Sequence, residues 1–216
     1  MPPVTVYSTD RSVNPAKWLF FGLVIKRDGR VVIIAVLEGK VNYWVLDKSL
    51  PYFNVTMKRR SGVPIVVHKL PPGFAFRWFA PGDEISWAGI ETSVGEFQTE
   101  AQALEYFQQR YLPNIEELTR RLVFVRTSNG DVVGTVTSWW DDTGDRRDPS
   151  LHWLAVRSEY QGLGLGKALV AECLTRLAWL EGDRAIFLHT QTWSHRAIAI
   201  YLKAGFEFVA HDSFGG

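Results

Sequence analysis

The stretch that most limits how this chain can fold is Val156-Arg157-Ser158-Glu159-Tyr160-Gln161-Gly162-Leu163-Gly164-Leu165-Gly166-Lys167-Ala168. An apolar strand pattern ends at Val156, three glycines follow at alternate positions, and an apolar helical period begins. A strand must therefore turn sharply into a helix. The first amides of such a helix lack intrahelical partners and sit at the positive end of its dipole. With no side chains at Gly162, Gly164 and Gly166, an anion can approach that backbone closely. Two phosphate-binding patterns fail. The dinucleotide pattern spaces its glycines G-x-G-x-x-G, whereas these run G-x-G-x-G. The nucleotide-hydrolase loop needs Gly where Gln161 stands and Ser or Thr where Ala168 stands, so no hydroxyl is placed for magnesium. Read alone, the turn is either a phosphate cradle or a plain strand-to-helix connection.

The rest of the chain limits the class. Hydrophobic residues at 46% and charged residues at 22% suit a soluble globular protein. The longest apolar runs, at 18–25 and 31–37, fall short of the roughly 20 residues that span a bilayer. Met1-Pro2-Pro3-Val4 has no signal-peptide character, so a cytoplasmic address and no membrane partner are expected. A single cysteine, Cys173, excludes an internal disulfide and a cysteine-based zinc site; no His/Asp/Glu spacing suggests a metal. Residues 1–70 carry 11 basic against 4 acidic side chains, and residues 71–216 carry 13 against 19. The basic part lacks an RNA-binding signature, so attraction between the halves or solvated faces is preferred to a nucleic-acid role.

Runs at 18–26, 31–38 and 41–46, joined by Asp28-Gly29 and Gly39-Lys40, predict a three-stranded antiparallel meander, with 63–68 as a fourth strand. Leu70-Pro71-Pro72-Gly73 is the best boundary, dividing an N-terminal β module at 1–70 from a second domain at 71–216. There the pattern predicts strands at 74–79, 122–127, 132–139, 151–156, 185–188 and 206–209. Helices are predicted to open near Pro81–Glu84 and Thr99, and over 166–180 and 194–204. Mixed order of this kind predicts an α/β domain, a mixed sheet with helices on its faces.

Gln161-x-x-Gly164-x-Gly166 matches the Q/R-x-x-G-x-G/A signature of the GNAT superfamily of N-acetyltransferases. Leu154-Ala155-Val156 before the loop and Ala197-x-x-Ile200-Tyr201-x-x-x-Gly205-Phe206 after it extend the match in order and spacing. The chain thus resembles that family over about residues 73–210. The resemblance implies the acyl-CoA N-acyltransferase fold, a mostly antiparallel mixed sheet flanked by helices. It also implies acetyl-CoA as co-substrate, with no metal. The diphosphate would lie on the amides of Gln161, Gly162, Leu163, Gly164, Leu165, Gly166, Lys167 and Ala168. The strands ending at Val156 and at Leu188 would splay apart, and the pantetheine arm would pair along Leu154, Ala155 and Val156. Ser194 stands where relatives carry Asn near the pantetheine; it either contacts the arm or caps its helix. Relatives close with two strands after Gly-Phe. Here only 210–216 remain after the first, so the last strand is expected to be missing, its edge covered by the basic meander or by a second copy in a homodimer.

The implied reaction is acetyl transfer from acetyl-CoA to a primary amine by direct attack; a non-catalytic CoA sensor or scaffold is the alternative. An alkylammonium of pKa about 10.4 must lose a proton before it attacks. The resemblance implies Tyr201 as proton donor to the leaving sulfur. It also implies His152 as base, at the place aralkylamine acetyltransferases use before Leu-Ala-Val. Period-two alternation would put His152 on the face of Leu154 and Val156. Trp139, Trp140 and Asp141, at the end of a strand, and Trp193 are candidates to receive a cationic acceptor, a small molecule or a peptide. His189 and His195 read as loop or cap residues, and Cys173 as buried.

Overall fold

A computed structural model of the chain describes residues 5–6, 22–27, 30–35, 52–143 and 146–209, the first three segments as strand backbone. The chain divides into two compact units, residues 1–43 with 208–216, and residues 44–207.

In the smaller unit β2 (Gly22–Arg27) and β3 (Arg30–Ala35) pair antiparallel from Gly22↔Ala35 to Arg27↔Arg30. β1 (Thr5–Val6) joins β3 in parallel, so this sheet is mixed rather than a simple meander. The strand expected at 41–46 lies outside the described residues.

The larger unit is a seven-stranded, mostly antiparallel sheet of order β10-β4-β9-β8-β7-β6-β5. Its strands are β4 (Asn54–Arg59), β5 (Phe74–Trp78), β6 (Leu122–Thr127), β7 (Val132–Thr143), β8 (Arg146–Val156), β9 (Ile186–Gln191) and β10 (Phe206–Phe208). The helices are α1 (Glu84–Ser93), α2 (Glu100–Arg110), α3 (Ile115–Arg121), α4 (Leu165–Glu181) and α5 (His195–Lys203). Two of these helices have a visible local cause at their start. Thr99 Oγ1 accepts from the Gln102 amide, as the capping pattern predicts, and Asp83 accepts from the Ala80 amide just before α1. Leu122, Val123, Phe124 and Val125 of β6 are fully buried, the mark of a central strand covered on both faces. The α4 residues Ala168, Leu169, Cys173 and Leu177 are buried as their spacing predicts.

Two expectations are corrected. Residues 63–68 form no strand: Pro64 has no amide to donate, and Val66 and Val67 are exposed. The edge expected to lack a strand is covered from residues 1–70, the first of the two expected covers, but by a strand the sequence does not predict: β4 pairs antiparallel with β9 from Asn54↔Gln191 to Arg59↔Ile186, and β10 lies on its other side. The sequence boundary at 70–73 consequently falls inside the larger unit.

Buried Arg59 locks β4 to the end of α5. Its Nε donates to the Ala204 carbonyl at 2.9 Å, and its Nη2 to those of Val63 and Pro64 at 2.7 and 3.1 Å. Replacing it would leave three carbonyls without their donor. Arg59→Met is expected to lower unfolding free energy by about 2–4 kcal/mol in urea titration; an unchanged midpoint would mean that β4 is held by its ladder alone.

Candidate active site

The site is made by an irregularity in β8. Thr135 pairs with Ala155 and Thr137 with His152, so one residue of β7 faces two of β8, Trp153 and Leu154. Trp153 takes a φ of 50°, a left-handed value rare outside glycine. Alternation stops at this bulge, which corrects the expectation that His152, Leu154 and Val156 share a strand face. β8 and β9 run parallel with Ser150↔Phe187 in register, and the Ser150 hydroxyl donates to the Phe187 carbonyl at 3.1 Å. Beyond that pair lies a cavity of about 250 Å³ between Leu151–Leu154 and His189–Gln191, reached by Ser194 and Tyr201 from the α5 side and by Glu91, Glu96 and Tyr106 from the α1–α2 side. The gap lies where the family resemblance implies that the two strands splay.

The glycine turn leaves β8 after Val156, two residues beyond Leu154, which lines the cavity. Gly162 and Gly164 have φ of 79° and 89°, and Gly164 is the N-cap of α4, with no side-chain cap. A Cβ on Gly164 would meet nothing within 4 Å, whereas one on Gly166 would press Ile200 Cδ1 at 3.1 Å. The turn is thus open where an anion would sit, and Gly166 serves helix packing instead. Exposed Gly162, Leu163, Gly164 and Lys167, with buried Leu165 and Ala168, make a cradle that fits a diphosphate at a helix start. Gln161 folds back, its Nε2 donating to the Val156 carbonyl at 2.7 Å, and so braces the loop.

The other end carries a polar chain that crosses four elements. His152 Nε2 lies 2.9 Å from Asp141 Oδ1, and its Nδ1 lies 3.2 Å from the Tyr111 hydroxyl. His189 Nε2 lies 3.4 Å from Asp141 Oδ2, and its Nδ1 3.3 Å from Thr56 Oγ1 on β4. With the Asp141 carboxylate facing it, His152 carries its proton on Nε2, and Nδ1 accepts from Tyr111. Burial would raise the Asp141 pKa, but hydrogen bonds from both histidines and the nearby imidazole charge override it and hold the carboxyl far below its usual range. Burial, followed by the charges of Cys173, Glu96 and Glu91, pushes the Tyr201 hydroxyl up, which keeps it protonated. Burial pushes the Cys173 thiol up to about 12, so it is inert.

The structure brings together His152, Leu154, Asp141, Ser194 and Tyr201 around the cavity. It takes Trp139, Trp140 and Trp193 away from it. Trp139 belongs to the aromatic core, edge-on to Tyr111. Trp140 lies between the guanidinium groups of Arg121 and Arg147, at 3.8 and 4.6 Å, with its Nε1 donating to Glu181. Trp193 packs edge-on against Tyr52. Ser194 is the N-cap of α5 but makes no side-chain cap. Sequence reasoning missed His189, Tyr111, Glu91 and Glu96. His189 was readable only from its parity on β9, and Glu91 only from its place in the apolar run Trp87-Ala88-Gly89-Ile90. Among the described residues, no group of three or more His, Cys, Asp or Glu could hold a metal, and no helix is long and apolar enough to cross a membrane.

The sequence profile of the Acetyltransferase (GNAT) family matches residues 87–206, and the chain belongs to that family, which implies acetyl-CoA as co-substrate. Among curated proteins it is similar to the mycothiol acetyltransferase of Streptomyces coelicolor, 26% identical over 157 residues, covering 71% of this chain and 48% of that protein. It is also similar to the mycothiol acetyltransferase of Streptomyces griseus, 29% identical over 167 residues, covering 75% and 52%. The chain spans about half the length of the curated relatives it matches. A GCN5-related N-acetyltransferase from Sphaerobacter thermophilus shares the fold with a TM-score of 0.57 at 22% identity, over 72% of this chain and 48% of that one. A GNAT-family acetyltransferase from Colwellia psychrerythraea does so with 0.56 at 11%, over 74% and 55%.

The Asp141 bonds give a pH signature. A carboxyl depressed on folding adds stability that is complete above its unfolded pKa of about 3.9 and is lost as pH falls through that range. Asp141→Asn is therefore expected to destabilise most at and above about pH 5, and progressively less towards about pH 3. Urea midpoints of both proteins across that range check this; a difference independent of pH would contradict the charge assignment.

Proposed function

We propose that the larger unit transfers the acetyl group of acetyl-CoA to a primary amine by direct attack. The observation that supports this most is the cavity in the β8–β9 gap lined by Leu154, Ser194 and Tyr201, with the glycine turn and uncapped start of α4 following β8 directly in the chain. Bound acetyl-CoA would supply a thioester carbonyl and a thiol leaving group. The amides from Gly162 to Ala168 would hold its diphosphate. The bulge interrupts the β7–β8 ladder at Trp153 and Leu154, and β8 is in register with β9 at Ser150↔Phe187, before the cavity; the cavity-facing backbone edge of β8 beyond that pair would pair with the arm and donate to a developing oxyanion.

Proton handling divides between two groups. Tyr201, buried and held protonated, donates its hydroxyl proton to the departing sulfur. His152, which lines the cavity, is the acceptor for the amine's proton, and the Asp141 carboxylate beside it balances the imidazolium. The neighbouring His189 Nε2 lies 3.4 Å from the other oxygen of the same carboxylate.

Release of coenzyme A thiol from acetyl-CoA in the presence of a panel of primary amines tests the reading, and buried Cys173 does not react with the thiol reagent. Tyr201→Phe is expected to lower turnover at least about tenfold, with little change in acetyl-CoA affinity. Unchanged turnover would remove Tyr201 from the chemistry, and absence of thiol release with every amine would sink the transferase reading.

A further inference from the structure

The cavity has a second polar pole that the acetyl-transfer chemistry leaves unused. Glu91, on the inner face of α1, is 1% exposed, and its Oε1 has no hydrogen-bond partner among the described residues although Glu91 lines the cavity. Glu96, in the loop after α1, lines the same space and accepts from Gln191 Nε2 at 3.2 Å. The two are tied through the backbone, the Glu96 amide donating to the Glu91 carbonyl at 3.1 Å. A buried carboxyl oxygen with nothing to bind is costly, and it is rare in a folded protein unless a ligand completes it. Burial, then the charge of Glu96, pushes the Glu91 carboxyl well above its ordinary pKa, and a cation seated against it would favour its ionised form. The adjoining wall is aromatic. Tyr106 and Trp153 line the cavity with ring centroids 5.1 Å apart, and Trp153 stacks on Phe97 at 5.2 Å. Ring faces beside carboxylates favour an alkylammonium.

We infer that Glu91 and Glu96 seat a cationic amino group of the acceptor that is not the group acetylated, so that the acceptor is a diamine or another amine with a second positive charge. The inference rests on the acetyl-transfer reading and adds the substrate class to it. The reason the seated group is not the nucleophile is electrostatic. A carboxylate pair favours the charged form of an amine, and a protonated amine has no lone pair with which to attack. The reacting amine must therefore be a second one, placed towards Tyr201 and His152. A monoamine can fill one pole only.

Titration calorimetry of the coenzyme A-loaded protein with diaminobutane and with butylamine tests this. The diamine is expected to bind at least about tenfold more tightly, and in Glu91→Gln the ratio is expected to fall towards one, since a neutral amide keeps the shape and removes the charge. Thermal unfolding confirms that the variant is folded; if it is not, Glu96→Gln is read in the same way. Equal affinity for the two amines in the native protein, or an undiminished ratio in the folded variant, would overturn the inference. Thiol release is followed in parallel. Diamine-selective binding without it would sink the transferase reading alone, and thiol release without diamine preference would sink the inference alone.

Discussion

The extra residue in β8 governs everything the site does. A regular ladder would have carried β8 alongside β9 to their ends and left no room between them. Because Trp153 and Leu154 together face a single residue of β7, β8 turns away after Ser150, and the sheet opens on one side of a fully packed core. Trp153 holds this bend at a φ that costs energy for any residue with a Cβ. The surrounding rings of Trp87, Phe97 and Tyr106, each within 5.1–5.5 Å of its own, over-determine the position. Backbone strain and an aromatic cluster thus combine to keep a gap open.

Charged anchors keep the two walls of the gap in place. Arg121, 2% exposed, bonds Glu117, Glu181 and the Ser138 carbonyl and lies over Trp140. That fixes Trp140, and with it the next residue of β7, Asp141. On the other wall Arg59 ties β4 to the end of α5, and β4 presents Thr56 to His189. The Asp141 carboxylate consequently receives one imidazole from β8 and another from β9. Removing either anchor would loosen the Asp141–His152 pair without touching it. The bonds link strands far apart in sequence, which is why the site depends on the whole sheet rather than on one loop.

The sequence made some of this legible and hid the rest for physical reasons. The strand, glycine turn and helix at 156–168 could be read because glycine marks left-handed backbone and a helix start is a local event. The Thr99 cap was local too. The bulge was not legible, because tryptophan carries no preference for positive φ; alternation therefore suggested an unbroken face at His152. The pairing of β4 with β9 is a contact between residues about 130 positions apart, and no local pattern encodes it. Trp139 and Trp140 looked like pocket aromatics because Asp141 follows them, yet the first fills the core and the second is sandwiched by arginines. Glu91 reads as an ordinary polar helix position, and only tertiary packing buries it.

The central claim is that the opened sheet and the bare start of α4 form one continuous seat for a coenzyme A thioester. Following backbone amide signals by NMR while acetyl-CoA is added addresses it most directly. The account predicts saturable shifts concentrated at Leu154 to Val156 and at Gly162 to Ala168, with those of the smaller unit unmoved. Shifts confined to other surfaces, or none at millimolar ligand, would contradict it.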